Sequence, residues 1–136
     1  MKVKIKAAYL EKLGQPLVYA EDIELPDLKE GQVLVKLAYS GVCHSQIMEA
    51  KGKRGPDAYL PHMLGHEGTG VVIETGSAVK KVKPGDHVVL GWIKGHGLDA
   101  GGCVFHRGKQ SINAGGVTTF MDHAVVSENR LALLPS

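Results

Sequence analysis

The chain has 136 residues, with 16 Lys and Arg against 14 Asp and Glu and a formal net charge of +2. That balance leaves no electrostatic footprint for a nucleic-acid partner, and the length suits one domain able to bury about two thirds of its unfolded surface without staples. No apolar run approaches the ~20 residues needed to cross a bilayer, and Met1-Lys2-Val3-Lys4-Ile5-Lys6 lacks the apolar centre of a signal peptide. The expectation is a soluble, cytoplasmic chain with no nucleic-acid or membrane partner, whose two cysteines, Cys43 and Cys103, stay reduced.

Taken in order, the chain has the texture of β-structure. Val3, Ile5, Ala7 and Tyr9 alternate with polar positions as a half-buried strand does. Val18 to Leu25 reads as a second extended segment stopped by Pro26. Gln32 to Ala38 reads as a more deeply buried strand after the Glu30-Gly31 turn. One short helix is expected from His44 or Ser45 to about Lys51, with Ser45 as its N-cap and Gly52 as its stop. Val71 to Glu74 and Val88 to Leu90 read as strands, the second launched by the Lys83-Pro84-Gly85-Asp86 turn. Gly91 to Gly116 is so rich in glycine that it reads as a long irregular loop with at most one hairpin. Thr118 to Val126 and Leu131 to Leu134 supply the last strands. The lysine clusters at 51–54 and 80–83 carry no interleaved aromatics and read as solvated loop charge.

The chemistry gathers in two short segments. Gly41-Val42-Cys43-His44-Ser45 and Gly65-His66-Glu67-Gly68 offer a thiol, an imidazole, a hydroxyl and a carboxylate. A thiol and an imidazole are zinc ligands, but a catalytic zinc needs three protein ligands and an open position. Each residue also has a plainer role: a lone cysteine is usually a small buried hydrophobe, and a histidine in a glycine-rich turn is a weak candidate. Placing Cys43 at a helix N-terminus favours its thiolate. The Gly68-Thr69-Gly70 cluster precedes a strand rather than a helix, so it permits close backbone approach and is no dinucleotide fingerprint.

The order and spacing of Gly41-Val42-Cys43-His44-Ser45, Leu64-Gly65-His66-Glu67-Gly68-Thr69-Gly70 and Val82-Lys83-Pro84-Gly85-Asp86-His87-Val88 resemble the zinc-containing alcohol dehydrogenases of the medium-chain dehydrogenase/reductase superfamily. The resemblance spans nearly the whole chain. It implies a mainly β, GroES-like, partly open barrel with short helices, residues 1–136 forming the catalytic domain, and a separate Rossmann domain as the partner that binds NAD(P). It implies Cys43 and His66 as zinc ligands, with Glu67 able to approach the metal. It implies Ser45 as the hydroxyl that passes the alcohol proton outward and His44 as a contact for the cofactor pyrophosphate or an aid to proton transfer. It puts Trp92 at a substrate-pocket aromatic. Zinc would act as Lewis acid on a small alcohol or aldehyde, and hydride would pass to the nicotinamide.

Four departures qualify these expectations. The segment bearing a third ligand, a cysteine, and the Rossmann domain would follow Ser136, so the isolated chain is expected to be inactive. Where many members carry four closely spaced cysteines for a structural zinc, this chain has only Cys103. Gln46 stands where an aspartate often supports the histidine ligand, and Met48 where a histidine often ends the proton relay. Cys103, His62, His96 and His106 are local candidates for a third ligand by residue type alone. Two other readings compete: a non-enzymatic GroES-like binding or assembly module, able to form a homo-oligomer through its uncovered face, and a zinc-free reductase of the same superfamily. Cys43 and His66 together argue against the second.

Overall fold

The computed structural model describes residues 3–135; Met1 and Lys2, which begin the alternating N-terminal stretch, and Ser136 lie outside the described residues. The strands are β1 (Lys4–Leu10), β2 (Val18–Glu24), β3 (Gln32–Ser40), β4 (His62–Met63), β5 (Glu67–Thr75), β6 (His87–Gly91), β7 (Cys103–Arg107), β8 (Gln110–Ala114), β9 (His123–Ser127) and β10 (Leu131–Leu133). Among the described residues, one helix, α1, runs His44–Ala50, and one 3-10 turn covers Glu128–Arg130.

These strands make two layers. In the first, β1, β2, β7, β8 and β4 close into a barrel. The partly open barrel expected from the sequence is therefore corrected to a closed one. The reason lies in the glycine-rich segment. Phe105 and Ile112 face inward from a hairpin, paired directly across it, and are fully buried. The hairpin's outer edges then join β2 through Glu24 and His106, and β4 through His62 and Asn113 in parallel. β4 pairs with β1 through Tyr9 and Met63, and the ring has no free edge.

The second layer is a five-stranded sheet in the order β10-β6-β5-β3-β9. β3 lies between β5 and β9, which is why Gln32 to Val35 are all buried and no alternation shows there. A single apolar cluster joins the layers, from Ile5, Tyr9, Ile23 and Phe105 in the barrel to Val33, Val72, Val88 and Val126 in the sheet. The strand expected from Thr118 begins only at His123; Thr119 and Phe120 instead donate their N–H groups to the Leu64 carbonyl. The glycines before Val71 act as anticipated in one respect: a Cβ on Gly70 would sit 2.3 Å from the Lys36 carbonyl oxygen, so β3 and β5 approach closely there.

The loop between β6 and β7 is held by hydrogen bonds to the segment around the 3-10 turn. Glu128, 3% exposed, accepts the N–H groups of Lys80 at 2.7 Å, Lys81 at 2.6 Å and Leu98 at 2.9 Å. Gly95 donates to the Asn129 carbonyl, Ala100 to the Ser127 hydroxyl, and Arg130 to the Trp92 carbonyl. Burial opposes the charge on Glu128, but the Leu98, Lys80 and Lys81 N–H groups outweigh it and hold the carboxyl below its ordinary range.

At neutral pH, Glu128→Gln is expected to lower the unfolding free energy by about 2 kcal/mol, the scale of hydrogen bonds to a charged acceptor. The folded pKa is depressed, so the wild-type advantage is present above the unfolded carboxyl range and fades as pH falls through the lower folded value. Urea denaturation of both proteins from pH 7 down to roughly pH 3 checks this. A gap between them that stays constant over that range would assign the loss to shape rather than charge.

Candidate functional site

The pairing of β3 with β5 builds the site. Ser40 at the end of β3 lies opposite Gly68 near the start of β5, and Gly41 donates its N–H to the Glu67 carbonyl at 3.0 Å. Cys43 follows β3 by three residues and His66 immediately precedes β5, so the two reach the same end of the sheet although 23 positions separate them in sequence. The Ser40 hydroxyl and the Thr119 hydroxyl, 2.7 Å apart, tie this end to the segment before β9.

The helix begins one residue before its expected cap. Cys43, not Ser45, is the N-cap: its backbone is extended, at φ −102° and ψ 151°, and Ser45 is already helical. The cap is completed by Gln46, whose Oε1 accepts the Cys43 N–H at 2.7 Å. Gly52, at φ +75°, stops the helix as expected.

The Cys43 thiol is pulled down to about 7 by the Ser45 hydroxyl, the Ser45 N–H and the His66 imidazole, in that order. His66 Nε2 lies 3.4 Å from Ser45 Oγ. Sulfur, hydroxyl and imidazole therefore share one space, and a soft thiolate beside an imidazole suits zinc. The donor set fits on its chemistry. The support behind it is thin: Gln46 is 7% exposed but spends its oxygen on Cys43 and one N–H on Ser45 Oγ at 3.3 Å, and His66 Nδ1 is buried with no partner.

The remaining residues singled out in the sequence fall around this centre. His44 is exposed in the first turn of α1. Glu67 turns its carboxylate over Gly41, where a Cβ would meet its Oε1 at 2.2 Å. Trp92 follows Gly91, the partner of Glu67 across β5 and β6; it is 61% exposed and does not line the cavity that His66 borders. Among the described residues, no third histidine, cysteine or carboxylate joins Cys43 and His66 in a ligand cluster. Cys103 points its sulfur toward the Val125 carbonyl, and burial pushes its thiol up to about 12. His96 sits by the Glu128 loop, and His106 is paired with Glu24 in the barrel.

A group not anticipated from the sequence borders the same cavity, which measures about 570 Å³ and is lined by Gln46, His66, Glu49, Asp57 and His62 among others. His62 Nε2 lies 2.6 Å from Asp57 Oδ2 and 4.0 Å from Glu49 Oε2, while its Nδ1 lies 2.8 Å from the Met63 carbonyl. Burial opposes a charged imidazole here, but the Met63 carbonyl, Asp57 and Glu49 outweigh it and raise the His62 pKa. One ligand atom from each of the three lies within 4.8 Å of the others. The 2.6 Å contact is nonetheless an ion pair: two ligands sharing a zinc at ~2.0–2.1 Å would stand about 3.3 Å apart. The sequence signal was the run of Glu49, Asp57 and His62 on both sides of the turn after α1, which carries no recognisable spacing.

Residues 29–136 match the alcohol dehydrogenase GroES-like domain, and the chain belongs to that family. Over 87 residues, 64% of this chain and 23% of the relative, it is 44% identical to the S-(hydroxymethyl)glutathione dehydrogenase of Escherichia coli O1:K1 / APEC. The chain thus spans less than a quarter of the curated relatives it matches. Among solved structures, an alcohol dehydrogenase zinc-binding domain protein from Burkholderia ambifaria superposes with a TM-score of 0.84 at 25% identity, over 99% of this chain and 43% of that one. The 2R,3R-butanediol dehydrogenase from Bacillus subtilis superposes at 0.71 with 30% identity, over 96% of this chain and 40% of the other. These likenesses define a catalytic-type domain of the zinc alcohol dehydrogenase superfamily.

In the metal-free chain, iodoacetamide is expected to label Cys43 with a half-maximal rate near its thiol pKa of about 7 and to leave Cys103, at about 12, unmodified. Ser45→Ala should move the Cys43 midpoint up toward the ordinary thiol value of about 8.5. Mass spectrometry across a pH series reads both; equal labelling of the two thiols at neutral pH would contradict the environments described.

Proposed function

We propose that the chain is the catalytic-domain portion of a zinc-dependent alcohol dehydrogenase that oxidises alcohols or reduces aldehydes with NAD(P). The observation that carries this is the shared space of the Cys43 thiol, Ser45 hydroxyl and His66 Nε2 at the end of the β3–β5 pair. Zinc held there would supply Lewis acidity at the substrate oxygen. Cys43 and His66 are the two ligands these residues provide; Glu67 is near enough in sequence to serve the metal but rests over Gly41. The third protein ligand belongs, in this reading, to a further segment outside these 136 residues, and the nicotinamide site to a Rossmann domain beyond that segment.

The surrounding groups divide the remaining work. Ser45 contacts both the thiol and His66 Nε2, and in this reading its hydroxyl receives the proton of a bound alcohol. His44, one residue earlier and exposed, is the next group able to take that proton or to meet a cofactor phosphate. Trp92 would reach substrate only from the exposed rim beyond β6. The family membership and the identity to S-(hydroxymethyl)glutathione dehydrogenase support a dehydrogenase of this class. The alternative of a non-enzymatic binding module does not account for a thiol, a hydroxyl and an imidazole gathered at one end of the β3–β5 pair.

Cobalt(II) titration tests the reading through the thiolate-to-metal absorption band, with zinc as competitor. One weakly held ion per chain is expected, since two ligands fall short of a full catalytic set. Cys43→Ser and His66→Ala should each cost more than the ~10–100-fold that loss of an outer partner costs. Binding that survives both substitutions unchanged would remove the metal from this site.

A further inference from the structure

Cys43 and His66 both lie outside the strands that bring them together, Cys43 three residues past β3 and His66 one before β5. The ladder behind them is irregular. Leu37 faces Gly70 and Tyr39 faces Thr69, which leaves Ala38 as an extra residue on β3. A bulge of this kind unpairs the ladder locally and bends the strand. The last step from the sheet to the two side chains therefore needs a fastening of its own.

Thr119, 1% exposed, supplies it from the segment before β9. Its N–H goes to the Leu64 carbonyl at 2.9 Å, immediately before Gly65. A Cβ on Gly65 would stand 2.2 Å from Thr119 Oγ1, and a Cβ on Gly68 would stand 3.3 Å from Thr119 Cγ2. Gly65 and Gly68 bracket His66 and Glu67, so one threonine packs on both ends of the turn that carries the imidazole. The Cys43 arm is reached through Ser40. Ser40 Oγ lies 2.7 Å from Thr119 Oγ1, 3.1 Å from the Gly41 carbonyl and 3.4 Å from the Glu67 carbonyl. Carbonyls only accept, so all three contacts are satisfied when Ser40 gives its proton to the carbonyls and the Thr119 hydroxyl donates to Ser40. The Gly41 N–H closes the circuit on the Glu67 carbonyl at 3.0 Å.

Resting on the zinc reading above, we infer that Thr119 is a positioning residue for the metal centre, and that its hydroxyl holds the Cys43 arm against the His66 arm at a fixed separation. It acts through Ser40 and the two glycines. Its two branches do different work: the methyl packs on Gly68 within one arm, while the hydroxyl spans both. A site offering only two protein ligands depends on both being held in place before the ion arrives, which is the work of the residues around them. Removing the hydroxyl loosens one arm against the other and leaves the apolar core closed.

The experiment uses the 136-residue chain and reads the Gly41 amide, whose protection against hydrogen exchange reports the joint between the arms without any metal. Thr119→Val is expected to lower the Gly41 protection factor at least about five-fold more than those of the buried strands, the scale of one lost hydrogen bond. Ser40→Ala, at an exposed strand end, should do the same, and the double variant no more than either alone, because both remove one contact. Thr119→Ser keeps the hydroxyl and should hold Gly41 at its wild-type value. Cobalt(II) affinity should fall by about ten-fold in Thr119→Val and be kept in Thr119→Ser, the size of effect an outer partner has on a metal site. Gly41 protection that is unchanged, that falls only in step with the core, or that Thr119→Ser loses as fully as Thr119→Val would overturn the inference. Wild-type cobalt binding indifferent to Cys43 and His66 would instead sink the zinc reading, and the metal-free exchange would still decide whether Thr119 joins the two arms.

Discussion

The register of β3 against β5 is the constraint on which the rest depends. Ser40 opposite Gly68 brings the residue three beyond one strand to the residue just before the other. A slip of one position would turn every side chain of the strand to the opposite face and carry Cys43 away from His66. The register is held from inside the sheet rather than at the site. Val33, Val35 and Val72 are fully or nearly fully buried, and Gly70 lets the two backbones close where a side chain would strike the Lys36 carbonyl. Binding geometry at one end is thus underwritten by apolar packing at the other, where about 1.5–3 kcal/mol per buried valine-sized side chain opposes a shift.

This explains which parts were legible in the sequence. The β3 strand was readable because its apolar run lies between a turn and a motif, and the motif was readable because cysteine and histidine are chemically rare and flanked by glycine. The barrel's closing hairpin was not. Its inward residues, Phe105 and Ile112, pair across the turn at Arg107 to Gln110, but Val104 beside Phe105 breaks the apolar–polar alternation and glycines on both sides hid the period. What defines those two strands is pairing with β2 and β4, more than forty residues distant in sequence, and no local pattern carries such a contact. The helix cap was misplaced by two residues for a related reason: serine is the stronger cap by type, yet Gln46 closes on the Cys43 N–H and moves the start back.

Glu128 shows the same limit from another side. A lone glutamate before Asn129 and Arg130 looks like surface charge, yet in the fold it gathers N–H groups from Lys80, Lys81 and Leu98. A single carboxylate orders this loop by the charge-assisted hydrogen bonds it accepts. The site's rim at Trp92 depends on this arrangement through Arg130, which holds the Trp92 carbonyl.

Gln46 is where fold and chemistry meet. The sequence suggested a neutral stand-in for a carboxylate behind His66. Instead the amide serves Cys43 and Ser45, and His66 Nδ1 is left alone. A carboxylate at that position would have had to choose between completing the cap, which fixes the thiol, and polarising the imidazole. The glutamine completes the cap and adds no negative charge beside a thiol that is already low, so the Cys43 thiolate keeps its advantage while His66 gives up a charged partner. The cost falls on the imidazole, whose basicity toward a metal is set by what its other nitrogen binds. Glu49, Asp57 and His62 line the same cavity as His66, so the negative charge nearest this imidazole lies in the cavity lining rather than on its Nδ1. There it acts on whatever enters the cavity, while the second nitrogen of His66 keeps no charged partner.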